Sequence, residues 1–315
     1  MIVGIDVAKA SLDVAWEADG RPCHRQFAYT EAGLAALLEA TPPHAHYVME
    51  ATGIYHARLA LKLHETGRQV SVVNPLVIKR FAQMQLSRVK SDKADAALLR
   101  QYGLTHEVPP WSPMDAQVLE LKQAHGWLDD LLKERTRLLN REEAHTHDPR
   151  PSPFVTREMA AKRKHLNRQI KECERHLEVL VKKHFRELYE RLCTIPAIGK
   201  KTAIELIIVT HGFRRFEDIK ALSAYVGVSP TTCHSGTSVH GQGAIAKLGQ
   251  GRMRQLLYLC SWTAKHCNPA CRALYARLKH AGKPRKVINV AIAHKLLRQA
   301  FAVATSNRPF LAELA

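Results

Sequence analysis

The stretch "IVGIDV", residues 2–7, decides the fold: a short apolar run with a single carboxylate, Asp6, set inside it. Such a run reads as a buried strand. Behind it, "LDVAWEADGRPCHRQFA" (12–28) alternates apolar and polar residues around Ala-Asp-Gly, the pattern of two strands joined by a tight turn. The pattern then predicts a helix over 30–40, a strand over 46–50 ("HYVME"), a helix over 55–66, a strand over 69–73 ("QVSVV") and helices over 76–84 and 91–103. Three strands followed by alternating strands and helices predict an α/β layer fold. "VPPWSPMD" (108–115) breaks the alternation and reads as a linker.

Beyond the linker the texture becomes helical. Leu121, Leu128, Leu132 and Leu139 recur at helical spacing, as do Leu166, Ile170, Cys173, Leu177 and Leu180, with the Pro-rich tip "THDPRPSPF" between the two sets. Two long amphipathic helices, paired as an antiparallel hairpin or coiled coil and used for dimerisation, fit this pattern. "TIPAIGKKTAIELI" (194–207) joins a turn to a small-residue helix start, as a helix-hairpin-helix does. There the turn at Gly199, Lys200, Lys201 and Thr202 would grip a nucleic-acid phosphate. The chain thus divides into 1–110, 111–190 and 191–315, an α/β domain followed by two mainly helical segments.

The charge is uneven. Lys and Arg number 47 against 29 Asp and Glu, for a formal net charge of +18. Residues 1–110 hold 12 basic and 11 acidic side chains, whereas 111–315 hold 35 and 18. From Ile219 to the end there are 14 basic residues and one acid, Glu313. A surface so one-sided calls for a polyanion, with nucleic acid first in line. No apolar run approaches the roughly 20 residues of a membrane span, and "MIVGIDVAKA" lacks the build of a signal peptide. The seven scattered cysteines suit a reducing, cytoplasmic setting. "HCNPAC" (266–271) has no second ligand pair at zinc-finger spacing.

Four acids stand out at the front. An unpaired carboxylate in a buried strand costs several kcal/mol, so Asp6 needs a partner or a metal. Glu50 ends "HYVME", while Asp92 and Asp95 in "KSDKADAALLR" are three apart and leave one face of a helix near its N-terminus. Such carboxylates could converge on one or two Mg²⁺ ions, hard cations that serve phosphoryl transfer.

Near the other end, "TTCHSGTSVHGQGAIAKLGQGRMR" (231–254) sets Ser235 and Ser238 among glycines and basic residues. It could cradle a phosphate, present a nucleophile or turn a corner. No carboxylate lies between Ile219 and Glu313 to orient His234, so a self-contained Ser-His-Asp triad is hard to build there.

"GIDVAK", "MEATGIY", "VVNPLVIKRFA" and "KSDKADA", followed by "IPAIGKKTA" and "SGTSVHGQGAIAKLGQGRMRQLLY", resemble the RNA-bridged DEDD insertion-sequence transposases, a family that includes a pilin-gene invertase. The resemblance runs through nearly the whole chain. It implies a RuvC-like (RNase H-fold) catalytic domain and a C-terminal transposase domain. Asp6, Glu50, Asp92 and Asp95 would then bind Mg²⁺, and Ser235 would attack the DNA backbone and become covalently joined to it, with Ser238 as the rival. It further implies a noncoding guide RNA pairing with donor and target DNA, and composite sites within a dimer or tetramer. Lys247, Arg252 and Arg254 would neutralise the scissile phosphate, and Gly236 and its neighbouring glycines would let the backbone approach DNA. Two positions depart from the family pattern: Ser91 where Thr is usual, and His240 where Arg is common. The alternatives are a site-specific invertase of the same family, an RNase H-fold junction nuclease that needs only the four acids, and a non-catalytic nucleic-acid scaffold. The bacterial cytoplasm, at the nucleoid, is the expected location.

Overall fold

The computed structural model describes residues 1–86, 91–235, 239–245 and 249–311, with side chains placed throughout these except over 230–244. Two compact units result, Met1–Pro113 and Met114–Ala315.

The first unit is built on a five-stranded mixed sheet. Strands β1 (Ile2–Val7), β2 (Ser11–Ala18) and β3 (Arg21–Ala28) form an antiparallel meander, while β4 (His46–Glu50) and β5 (Gln69–Val73) run parallel to β1. The order across the sheet is β3-β2-β1-β4-β5. Asp19 and Gly20, both at positive φ (52° and 72°), make the two-residue turn between β2 and β3 whose twist matches the strands.

Alternation along β1 assigns its two faces. Val3, Ile5 and Val7 join Tyr47, Met49 and Val70 in a core closed by α1 (Glu31–Ala40) and α2 (Tyr55–Glu65), through Leu34, Leu37, Leu59 and Leu63. The opposite face, with Gly4 and Val48, takes α3 (Pro75–Met84) and α4 (Asp92–Thr105), through Ile78 and Leu99. Both helices start on side-chain caps: Asn74 accepts from the Leu76 N–H with Pro75 as first residue, and Ser91 accepts from the Ala94 N–H. The α/β expectation for this part of the chain is met.

The stretch read as a linker begins as part of this unit. Trp111 N–H donates to the Val70 carbonyl (2.7 Å), and Ser71 Oγ donates to the Pro109 carbonyl (2.7 Å). The backbone of 109–111 therefore lies along β5, and the boundary falls after Pro113.

The second unit is mainly helical. Helices α5 (Ala116–Thr146) and α6 (Pro153–Cys193) form an antiparallel hairpin, with Phe185 breaking the regular dihedrals of α6 (φ −136°). Leu121, Leu128, Leu131 and Leu138 face Leu166, Ile170, Leu177 and Leu180, and the pairs Lys162–Glu134 and Arg163–Glu142 cross between the helices. The hairpin and the C-terminal helices share one apolar core. That core is completed by α7 (Lys200–Thr210), α8 (Ile219–Val226), α9 (Gly251–Cys267), α10 (Pro269–His280) and α11 (Arg285–Ser306).

Three further features complete this unit. By length and composition α11 could cross a membrane, but half of that stretch is buried in the core, through Ile292, Leu296 and Ala300 among others. "HCNPAC" is a helix junction in which Asn268 caps α10 and hydrogen-bonds Gln299 (2.9 Å), with Cys271 buried. Within the stretch 231–254, β6 (Pro230–Ser235) and β7 (Val239–Ile245) pair as an antiparallel ribbon.

Candidate functional site

Parallel pairing of β1 with β4 puts Ile5 beside Met49, so Asp6 and Glu50 follow at adjacent positions near the same edge of the sheet. Helix α4 is pressed onto that face at Gly4. A Cβ there would fall 2.9 Å from Arg100 Cα, and closer still to the carbonyl oxygen of Ala96. Further along, Gly103 lies against Ile2 and Val48. The helix therefore runs back along the strands, and its first turn, with Asp92 and Asp95, arrives beside Asp6. Three elements of structure, β1, β4 and α4, thus supply one neighbourhood of four carboxylates.

That neighbourhood has an electrostatic signature. Burial pushes the Asp6 carboxyl up to about 6 from 3.8, and the negative charges of Asp95, Asp92, Glu50 and Asp13 push the same way. These groups share a field without closing into a cage. Among the described residues no three ligating side chains lie within metal-binding reach of one another. The donor set, all carboxylate oxygens around a half-buried strand acid, is the kind that a hard divalent cation fits.

Asp13 was not singled out in the sequence. It is buried directly across the β1–β2 ladder from Asp6, with His24 Nε2 and Gln26 Nε2 donating to its two oxygens at 2.9 Å each. The signal was available: the period-2 alternation of β2 and β3 puts Asp13, Gln26 and His24 on one face of the hairpin.

Ser91, one of the departures from the family pattern, uses its hydroxyl to cap α4, a task that Ser and Thr share. His240, the other, pairs across the ribbon with His234. Ser235 ends β6 opposite Val239, at the closed end of the ribbon; its side chain lies outside the described residues. Gly236, Ser238 and Lys247 lie wholly outside them.

The six residues 194–199 join α6 to α7, and Gly199 is the residue before the helix. Lys200 and Lys201 are exposed and reach back to Glu178 (2.9 Å) and Glu174 (2.7 Å) of α6. Thr202, expected at a phosphate, is buried with its hydroxyl 3.3 Å from Cys260 Sγ.

The two arginines expected at the scissile phosphate hold the ribbon's exit to the rest of the unit. Arg254 donates to the Val226 carbonyl at the end of α8 (3.0 Å). Arg252 forms an ion pair with Asp129 of α5, lies 3.4 Å from Glu205 of α7, and donates to His125 Nε2 (3.1 Å). That contact leaves the proton of a neutral His125 on Nδ1, 3.3 Å from Glu205 Oε2, an oxygen that accepts no hydrogen bond from the described residues. Burial, then the Arg252 charge, pushes His125 down to about 4, so it is neutral at pH 7. Burial pushes the Glu205 carboxyl up to about 7 even beside a guanidinium, whose charge Asp129 already matches.

Comparisons with known proteins divide the chain much as the two ends of the sequence do. A DEDD transposase model of IS110 type matches residues 3–147, and a model described as transposase of the IS116/IS110/IS902 family matches 189–276. Two pilin gene-inverting proteins, from Moraxella bovis and Moraxella lacunata, are each 32% identical over 98% of this chain and 97% of their own length. An uncharacterized 43.6 kDa protein of insertion element IS110 from Streptomyces coelicolor is 27% identical over 44% of this chain and 33% of its own length. The α/β unit, its carboxylates and these matches define an enzyme that cleaves and rejoins DNA. The chain belongs to the IS110 family of transposases.

Proposed function

We propose that this enzyme is an RNA-guided DNA recombinase of an insertion sequence, dependent on Mg²⁺ and using Ser235 as its nucleophile. The first unit is then an RNase H-like (RuvC-like) DEDD domain, α5 and α6 a coiled coil that mediates dimer or tetramer formation, and 191–315 a transposase domain carrying a helix-hairpin-helix. The observation that carries this reading is the Asp6 carboxyl, raised to about 6 by burial and by the charges of Asp95, Asp92 and Glu50. A structural acid would be neutralised by a partner. Here further acids are added instead, which is useful only where a cation is to be held.

Mg²⁺ held by Asp6, Glu50, Asp92 and Asp95 would supply positive charge to a DNA phosphate in reaction. The chain itself provides the group that is exchanged. A bond forms between Ser235 Oγ and phosphorus as the bond from phosphorus to one deoxyribose oxygen breaks, leaving a strand that ends in a hydroxyl. Attack by another strand's hydroxyl on the serine phosphoester restores the DNA backbone and frees Ser235. One ester replaces another at each step, so rejoining needs no external energy source.

The exposed Lys200 and Lys201 beside Gly199, together with Gly236 and Lys247, are the proposed backbone contacts. The basic excess after Ile219 supports binding of both DNA and a structured RNA. Ser235→Ala should abolish covalent protein–DNA adducts while RNA binding persists; normal adduct yield in that variant would end the serine assignment. A second reading is site-specific DNA inversion, supported by the near full-length similarity to two pilin gene-inverting proteins. Sequencing the gene's flanks separates the two. Element ends with a transcribed noncoding stretch mark transposition, whereas fixed inverted sites mark inversion.

A further inference from the structure

The ribbon of β6 and β7 is closed at its base by a set of contacts within the second unit. On the exit side, Gly249 sits at φ +119°, and a Cβ there would fall 3.1 Å from the Tyr225 carbonyl carbon and 3.2 Å from Gly227 N. Gln250 N–H donates to the Tyr225 carbonyl (3.1 Å), and Gln250 Nε2 to the Tyr225 hydroxyl (2.9 Å). Arg215 donates to the same hydroxyl (2.9 Å) and lies over the tyrosine ring, 4.3 Å from its centroid. The exit from the ribbon is thus tied to the end of α8, the helix that leads into β6. One residue into α9, Arg252 carries the anchor to α5 and α7 through Asp129, Glu205 and His125.

We propose that Arg252 is a positioning residue: its fork, locked into Asp129, Glu205 and His125, fixes the direction in which the ribbon presents Ser235, and it is not a ligand of the DNA phosphate. This rests on the reading of Ser235 as nucleophile. The physical argument is that Glu205 and His125 are buried, while Asp129 and Arg252 are half-buried. Drawing the guanidinium out to a phosphate would leave the half-buried Asp129 carboxylate without its counter-charge and the buried Glu205 without a neighbouring cation, a cost that one exposed phosphate contact offsets poorly. An arginine fork that pairs with Asp129, donates to His125 and lies 3.4 Å from Glu205 also holds a helix start in rotation as well as position, which a lysine could not do. A reacting atom displaced by about 1 Å loses about a hundredfold in rate, so the aim of such a ribbon matters to the chemistry.

The test uses the full-length protein carrying Arg252→Gln together with Asp129→Asn, which removes both charges at once, and Arg252→Lys as the conservative variant. Amide exchange in β6 and β7 should quicken by about tenfold or more in the double variant, while α11 stays protected. Affinity for a mixed-sequence DNA duplex, and its slope against salt, should stay as in the wild type. Single-turnover cleavage of the gene's own flanking DNA should fall by about 10- to 100-fold, with partial recovery in Arg252→Lys. A salt slope reduced by about one, with unchanged exchange in β6 and β7, would make Arg252 a phosphate ligand and overturn the proposal. Ser235→Ala keeps the two ideas apart: its exchange should match the wild type, so persistent cleavage there removes the nucleophile and leaves the anchoring result standing.

Discussion

Gly4 lies so close to Ala96 that a Cβ on the strand would sit inside contact distance of the helix backbone, and 2.9 Å from the neighbouring Arg100 Cα. The first turn of α4 owes its place beside Asp6 to that missing side chain. Gly4→Ala should therefore push α4 off β1, cost about 1–3 kcal/mol, and abolish cleavage even though no carboxylate is changed. Gly103→Ala meets only the methyl ends of Ile2 and Val48 (2.8 and 2.9 Å). Those methyls sit on stiff β-branched side chains, so stability is lost here too, but side chains repack more readily than backbone, and that variant should keep more cleavage than Gly4→Ala. Thermal melts and cleavage assays on the two variants check the contrast, and equal losses would contradict it.

Asp6 sets stability against function. Its carboxyl is raised from 3.8 to about 6, so the folded state holds the proton more tightly than the unfolded chain. The sign follows: this group favours folding below its unfolded value, and that contribution is lost as pH rises through about 6. At pH 8, with divalent ions chelated, Asp6→Asn should stabilise the protein by about 1–2 kcal/mol, reduced for partial solvent screening. The same substitution should abolish cleavage. Mg²⁺ should raise the melting temperature of the wild type more at pH 8 than at pH 5, and should do nothing for the variant. A variant less stable than the wild type at pH 8 would contradict this account of the site.

The front of the chain was legible because its signals are local. Period-2 alternation, an Asp-Gly turn and an acid inside an apolar run each act within a few residues, and β1 to β5 formed as read. Asp13 escaped because its importance comes from the strand opposite. On α5 the fully buried places fall to Leu131 and Leu138, while the expected Leu132 is half-buried against the same core and the expected Leu139 is exposed. The next core position after Leu128 can come three or four residues later, and only the facing helix decides between them. Arg252 shows the same limit: the sequence around it holds no acid, but the fold delivers Asp129 and Glu205 from helices 123 and 47 positions upstream.

Lys200 and Lys201 are ion-paired with α6 in the structure, but both are exposed, and such solvent-screened pairs add little to stability. A nucleic-acid phosphate can compete for them at little cost. Replacing both with Ala should leave the melting temperature within about a degree, weaken duplex affinity, and lower its salt slope by about two. Unchanged slope would place the nucleic acid elsewhere on the protein.

His125 and Glu205 titrate in opposite senses inside one network, with Asp129 and Arg252 as the other charged groups against them. Burial lowers His125 from 6.5 to about 4, so its contribution to stability is present above 6.5 and is lost as pH falls toward 4. Burial raises Glu205 from 4.5 to about 7, so its contribution is present below 4.5 and is lost as pH rises toward 7. Between these values the two slopes largely cancel, and the wild-type second unit should show stability that changes little with pH. Single substitutions uncover each slope. Glu205→Gln leaves the histidine, so stability should rise with pH between 4.5 and 6.5; His125→Gln leaves the carboxyl, so stability should fall over the same interval. Each slope is bounded at about 1.4 kcal/mol per pH unit, the value for one proton. Urea melts at several pH values measure both, and slopes of the same sign in the two variants would show that the histidine and the carboxyl do not offset each other.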